Sequence, residues 1–157
     1  MEKNDCLICE RIELIRENKN PYFVSELRTG YVVIGDYQFF RGYSLLLCKE
    51  HKHELNELGP VFRKEFLWEM SEVAAAVYRA FHPKKLNYEL LGNTDPHLHW
   101  HLFPRYENDP EPEKPVWSID KNTRCAEFVR PSLEELENLK SVLRKQLQHL
   151  SLNTHKV

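Results

Sequence analysis

The chain has no apolar run approaching the ~20 residues that a membrane-crossing helix requires. Its first stretch, MEKNDCLICERIELIREN, is broken by charge throughout, which excludes the apolar heart of a signal peptide. Both absences predict a cytoplasmic protein. There is no basic excess either: 22 Lys and Arg stand against 24 Asp and Glu, for a formal charge of −2. That balance argues against a nucleic-acid partner, so any phosphate must meet local donors. Cysteine is sparse, with Cys6, Cys9, Cys48 and Cys125, and in a reducing compartment these are thiols or metal ligands, not disulfides. Internal repeats and a glycine-rich phosphate loop are also missing.

What is present fits one domain over residues 1–157, with a core of about 1–106 and a C-terminal extension of about 107–157. Ile12, Leu14 and Ile15 predict a short helix over 10–17, closed by Asn and Pro in NKNP. YFVSEL (22–27), GYVVIGDY (30–37) and SLLLCK (44–49) are rich in β-branched and aromatic residues or leucine and predict consecutive strands. From Pro60 the period changes, since Phe62, Phe66, Met70, Val73, Val77 and Phe81 recur every three or four residues and predict a long helix ending near His82-Pro83. LNYELLG (86–92) and HLHWHLFPRY (97–106) predict two more strands, and ENDPEPEK (107–114) an exposed connection. Ser132 with Glu135 forms a capping box before a leucine-periodic helix. The class is α+β: a five-stranded, mostly antiparallel sheet with a long crossing helix and a C-terminal helix.

The informative stretch is PHLHWHLFPRY, residues 96–106. Strand side chains alternate between faces, so His97, His99 and His101 share one face and Leu98, Trp100 and Leu102 the other. Exposed strand residues with no chemistry are one reading of such histidines. The others are metal ligation and nucleophilic or acid-base catalysis, because imidazole serves both near neutral pH. Separately, Cys6-x2-Cys9 has the spacing of half a tetrahedral zinc site. A redox motif would sit at a helix start in a βαβ order, which the pattern does not show.

HLHWHLF resembles the signature of the histidine triad (HIT) family of nucleotide hydrolases and transferases. The order of the N-terminal CxxC, Asp36 followed by RGYSLLLCKEH ending at His51, the long helix, Gly92-Asn93 and the PR after the triad agrees with that resemblance, which spans roughly the first two thirds of the chain. Only Thr94, Asp95 and Pro96 separate Asn93 from His97, a short form that resembles a bacterial branch. The resemblance implies the HIT-like fold. It also implies that His99 attacks the α-phosphorus of an adenine nucleotide, such as a diadenosine polyphosphate or an adenylate ester or amidate, to give a covalent nucleotidyl-histidine. The carbonyl of His97 would fix the tautomer of His99, and His101 would contact the phosphate and assist the leaving oxygen. Asp36 would bind the ribose hydroxyls, with Ile34 against the base and Asn93 near ribose or phosphate. A turn residue beside Gly35 is the plain alternative for Asp36.

The resemblance further implies a structural zinc held by Cys6, Cys9, His51 and His97, with His53 as competitor for His51, and a homodimer formed through the long helix and an adjoining strand; Trp68 on that helix is a candidate either for this interface or for the core under the C-terminal helix. Two other functions compete: a metal-dependent hydrolase with the three histidines around an open metal, and a nucleotide-binding protein without turnover. Cys48 and Cys125 read as small buried hydrophobes, and Trp117 has no assigned role.

Overall fold

The computed structural model describes residues 5–153. Helix α1 spans Leu7–Arg16, and strands β1 (Phe23–Glu26), β2 (Gly30–Ile34) and β3 (Ser44–Cys48) follow. Helix α2 (Pro60–Phe81) leads to β4 (Lys85–Glu89) and β5 (His99–Arg105), then to the short helix α3 (Lys121–Arg124) and the long α4 (Leu133–Asn153). The strands form one sheet in the order β1-β2-β3-β5-β4, and every neighbouring pair is antiparallel. The α+β class expected from sequence, a five-stranded antiparallel sheet with a long helix and a C-terminal helix, is therefore what the chain adopts.

Alternation assigns each strand's two faces. Val32, Ile34, Leu46, Cys48, Leu98 and Leu102 pack under α2 and α4, with Trp100 against them. Tyr31, Val33 and Leu47 face the other way, onto Ile8, Ile12 and Ile15 of α1. Strand β2 is buried along its whole length because both faces are covered. Leu136, Leu139, Leu143, Leu147 and Leu150 of α4 are all in the larger core, and burying each such side chain is worth roughly 1.5–3 kcal/mol before the entropy of ordering the chain. The extension beyond residue 106 is thus part of the core. Its capping box forms as expected: the Ser132 amide donates to Glu135 Oε2 at 2.8 Å, and the Glu135 amide to Ser132 Oγ at 3.2 Å. Helix α2 stops at His82, which takes a left-handed φ of 49° immediately before Pro83.

Some boundaries differ from the sequence pattern for local reasons. Helix α1 starts earlier than residue 10 because the Cys6 sulfur caps it, accepting from the Cys9 amide at 3.5 Å. Strand β5 begins at His99, since the His97 amide turns back to the Asp95 carbonyl at 2.8 Å. Strand β4 ends at Glu89, before the predicted 92.

The acidic connection after β5 is less free than its composition suggests. Arg105 is buried, pairs with Asp109 at 2.9 Å, donates to the Lys114 carbonyl at 2.8 Å and lies over the Phe40 ring. Removing one partner leaves a buried carboxylate uncompensated. Arg105→Ala is expected to cost about 3 kcal/mol and to loosen the segment after residue 106, read by urea unfolding and by proteolysis of the folded protein.

Candidate functional site

On the α1 side of the sheet lies a cleft of about 510 Å³ that Asp36, Asn93, His99 and His101 all line. His99 is 4% exposed and sits at its floor. The His99 Nδ1 atom is 2.6 Å from the His97 carbonyl. A carbonyl only accepts, so Nδ1 carries a proton, and in the neutral ring the lone pair is then on Nε2. This is the tautomer a nucleophilic imidazole needs.

His101 follows two residues on, with its ring 4.6 Å from that of His99. Its Nδ1 meets the Tyr43 hydroxyl at 2.6 Å. Burial holds both groups neutral, pushing the Tyr43 phenol well above its usual range and His101 down to about 3, the latter helped by repulsion from His99. Phenol is the stronger acid of the two, so its O–H donates and the His101 proton stays on Nε2. Phe103 lies parallel to both rings, 4.1 Å from that of Tyr43 and 5.8 Å from that of His101. Gly35 permits this packing, because a Cβ there would overlap the Tyr43 ring.

The depressed His101 value sets a pH dependence. The unfolded state takes up a proton near pH 6.5, whereas the folded state resists until about 3. Stability from this group is full above pH 6.5 and lost as pH falls toward 3, at a slope of up to about 1.4 kcal/mol per pH unit. His101→Leu is expected to flatten the decline between pH 6.5 and 5 in chemical unfolding. An unchanged slope would show that His101 is not held neutral.

His97 does not line the cleft. It turns into a second constellation in which Cys6, Cys9, His51 and His97 bring one ligand atom each within 4.8 Å of one another. The His97 and His51 Nδ1 atoms are 3.2 Å apart, and the sulfur-to-nitrogen separations are 3.5 Å for Cys6 to His97, 3.3 Å for Cys9 to His51 and 3.5 Å for Cys9 to His97. A tetrahedral zinc with its ordinary bond lengths requires about 3.3 Å between nitrogens and about 3.6 Å between sulfur and nitrogen. The residues fit that ion. His97 Nε2 is 2.9 Å from the Cys48 carbonyl, which fixes the proton there and leaves Nδ1 bare toward the cluster. Burial also pushes His97 down to about 4, favouring the neutral ligand form. Both cysteines lie at the start of α1, with Cys6 as its N-cap. His53 stays exposed and outside the cluster, although its ring is 5.4 Å from that of His51. The two histidines belong to the loop after β3, so loop geometry chooses between them.

Two sequence expectations need correction. Ile34 is fully buried in the core beneath α2 and α4, and the cleft is lined instead by Val33, Leu45 and Leu47, because the β2 residues facing α1 have the opposite parity. Cys125 is only partly buried and lines the cleft, unlike Cys48, which is in the core. Nor do the three histidines surround one metal. Among the described residues the Cys6, Cys9, His51 and His97 group is the one assembled for an ion, and its four protein ligands leave no open position.

The pattern gave no sign of several cleft residues. Arg11 of α1 donates to Asp36 Oδ2 at 2.5 Å, so a ribose on this carboxylate would share it with a guanidinium. Tyr43, Phe103, Trp117, Lys121 and Arg124 also line the cleft. Only the helical parity of α1 hints at Arg11, opposite its buried isoleucines, and nothing local hints at the rest.

Residues 32–108 match the family model described as HIT domain. No curated protein matches the chain in sequence. Among solved structures, a histidine triad protein from Marinobacter aquaeolei is 26% identical with a TM-score of 0.71, the match covering 82% of this chain and 89% of the other. One from Sinorhizobium meliloti is 24% identical with a TM-score of 0.72, over 93% of this chain and all of the other. A Zn-bound histidine triad family protein from Mycobacterium smegmatis is 20% identical with a TM-score of 0.61, over 97% and 99%.

Proposed function

We propose that this chain, which carries a HIT domain, is a nucleotide hydrolase or nucleotidyl transferase that works through a covalent nucleotidyl-His99 intermediate. The observation that carries the reading is the 2.6 Å bond from His99 Nδ1 to the His97 carbonyl, which aims an unprotonated Nε2 into a cleft large enough for a nucleotide. His99 Nε2 attacks the α-phosphorus, forming an N–P bond as the P–O or P–N bond to the leaving group breaks. His101 Nε2–H donates to the phosphoryl oxygen and to the departing oxygen or nitrogen, and the proton it gives up is replaced in the second step by one from the attacking water. Water then attacks phosphorus, breaks the N–P bond and releases the nucleoside monophosphate and the free imidazole. Two such displacements let one site serve both partners.

Adenine nucleotides, as diadenosine polyphosphates or adenylate esters and amidates, are the substrates the reading favours. Asp36 accepts from the ribose hydroxyls beside Arg11, Asn93 lies toward the ribose or phosphate, and Val33, Leu45 and Leu47 pack on the base. A structural zinc on Cys6, Cys9, His51 and His97 pins α1 to the sheet and supplies no chemistry in the cleft. Binding without turnover is the competing reading, and it leaves the fixed His99 tautomer without a purpose. The decisive test is rapid quenching of the enzyme with a dinucleoside polyphosphate, followed by peptide mass spectrometry. An acid-labile nucleotidyl adduct on the His99 peptide is expected; turnover with no adduct would sink the covalent route.

No helix among the described residues is long and apolar enough to cross a membrane. Trp68, Leu67 and Tyr78 are partly exposed on α2, and Tyr88 is 48% exposed on the adjacent edge strand β4. This apolar surface suits a two-fold dimer. Light scattering is expected to give twice the chain mass, and Trp68→Glu to give the monomer.

A further inference from the structure

The segment after the histidine strand returns to it. Trp117 places its ring 5.6 Å from that of His101, edge to face, and its Nε1 bonds to the Glu89 carboxylate on β4. The Arg124 guanidinium lies over the other part of this wall, 4.6 Å from the Trp117 ring centre, and its Nε donates to the Ile119 carbonyl at 2.9 Å. Val116, fully buried against Phe40 and Phe103, anchors the turn. A chain of contacts thus runs from His99 through His101 and Trp117 to Arg124, with Lys121 one helical turn before it and also lining the cleft.

The charges of the cleft are unevenly committed. Arg11 is matched by Asp36 at 2.5 Å. Lys121 and Arg124 form no ion pair among the described residues. Glu89, whose carboxylate accepts from the Trp117 indole, and Asp95, whose backbone carbonyl accepts from the His97 amide, pair with neither of these cations among the described residues. Two unmatched cations therefore stand beyond His101, the histidine given contact with the leaving oxygen.

We propose that residues 116–125 form the leaving-group subsite, in which Lys121 and Arg124 select substrates whose departing group is an anionic phosphate chain over those that release an uncharged alcohol or amine. The proposal rests on the hydrolase reading above and narrows it to nucleoside polyphosphates. The phosphates beyond the scissile bond meet a lysine and a guanidinium already flattened on an indole, and Trp117 offers its remaining face to whatever the chain carries. A neutral leaving group gains nothing from these cations.

The test compares kcat/KM for a dinucleoside tetraphosphate and for an adenylate with a neutral amine leaving group, in the wild type, in Lys121→Glu and in Lys121→Gln/Arg124→Gln. The preference for the tetraphosphate is expected to fall at least tenfold in the double variant, further in Lys121→Glu, and to shrink in the wild type as salt is raised. Lys121 is exposed, so its single variant leaves the fold intact if Arg124 proves structural. Equal losses on both substrates would overturn the subsite while leaving the hydrolase reading in place. Calorimetric binding of inorganic tripolyphosphate separates the remaining case. If the wild type binds it and the variants lose that binding at least tenfold, with neither nucleotide cleaved by any form, the anion subsite stands and the hydrolase reading falls. If tripolyphosphate does not bind at all, the subsite falls.

Discussion

His99→Ala is expected to lower nucleotide turnover by at least about a thousandfold, a loss of roughly 4 kcal/mol of transition-state stabilisation, with little change in fold. The size follows from the route. Without the imidazole no N–P bond forms, and water must attack an α-phosphorus with only the binding groups and His101 to assist. The fold survives because His99 faces the cleft, and its one recorded hydrogen bond is to the His97 carbonyl. Steady-state kinetics beside circular dichroism reads both. His99→Asn, which returns a donor toward that carbonyl without a nucleophile, is expected to be as inactive as the alanine variant. Retention of most of the wild-type rate in either would remove His99 from the reaction.

Loss of the Cys6, Cys9, His51 and His97 cluster is the second large effect. Thiol and imidazole atoms converge there at separations a tetrahedral ion imposes, and one zinc per chain is expected by elemental analysis of protein purified without chelator. Cys9→Ser leaves three strong ligands and weakens the tie between α1, the loop after β3 and the approach to β5. A structural zinc site contributes directly to folding. Because this chain has an independent core, a loss of about 4 kcal/mol, or about 10 °C in melting temperature, is expected, with His53→Ala close to neutral. Activity should fall with the fold and not ahead of it, since four protein ligands leave the ion no place to hold water. Protein carrying no zinc, with a Cys9→Ser melting point equal to the wild type, would contradict the site.

The histidine strand shows how much a local period carries. The two-residue repeat of HLHWHLF puts Leu98 and Leu102 in one core and His99 on the other face, and the CxxC spacing is visible as half a metal site. The family resemblance misled at Ile34, which it put against the base. From sequence alone GYVVI is apolar throughout, so its parity relative to the cleft is fixed only when pairing sets Val33 opposite Leu45 and Ile34 opposite Ser44. His97 was legible as part of the triad, yet the reversal of the chain at Asp95 gives it to the cysteines while its backbone oxygen still serves His99.

Composition, periodicity and the alternating histidines by themselves determined an α+β domain with one chemically loaded strand and a metal-ready N-terminus, because these depend on neighbours a few residues apart. Tertiary structure alone decided that Arg11 pairs with Asp36, that Tyr43 sets the proton on His101, and that Trp117, Lys121 and Arg124 wall the cleft. Those partners lie tens of residues apart, brought together by strand order and by the Arg105 clamp, and no local rule of spacing carries that information.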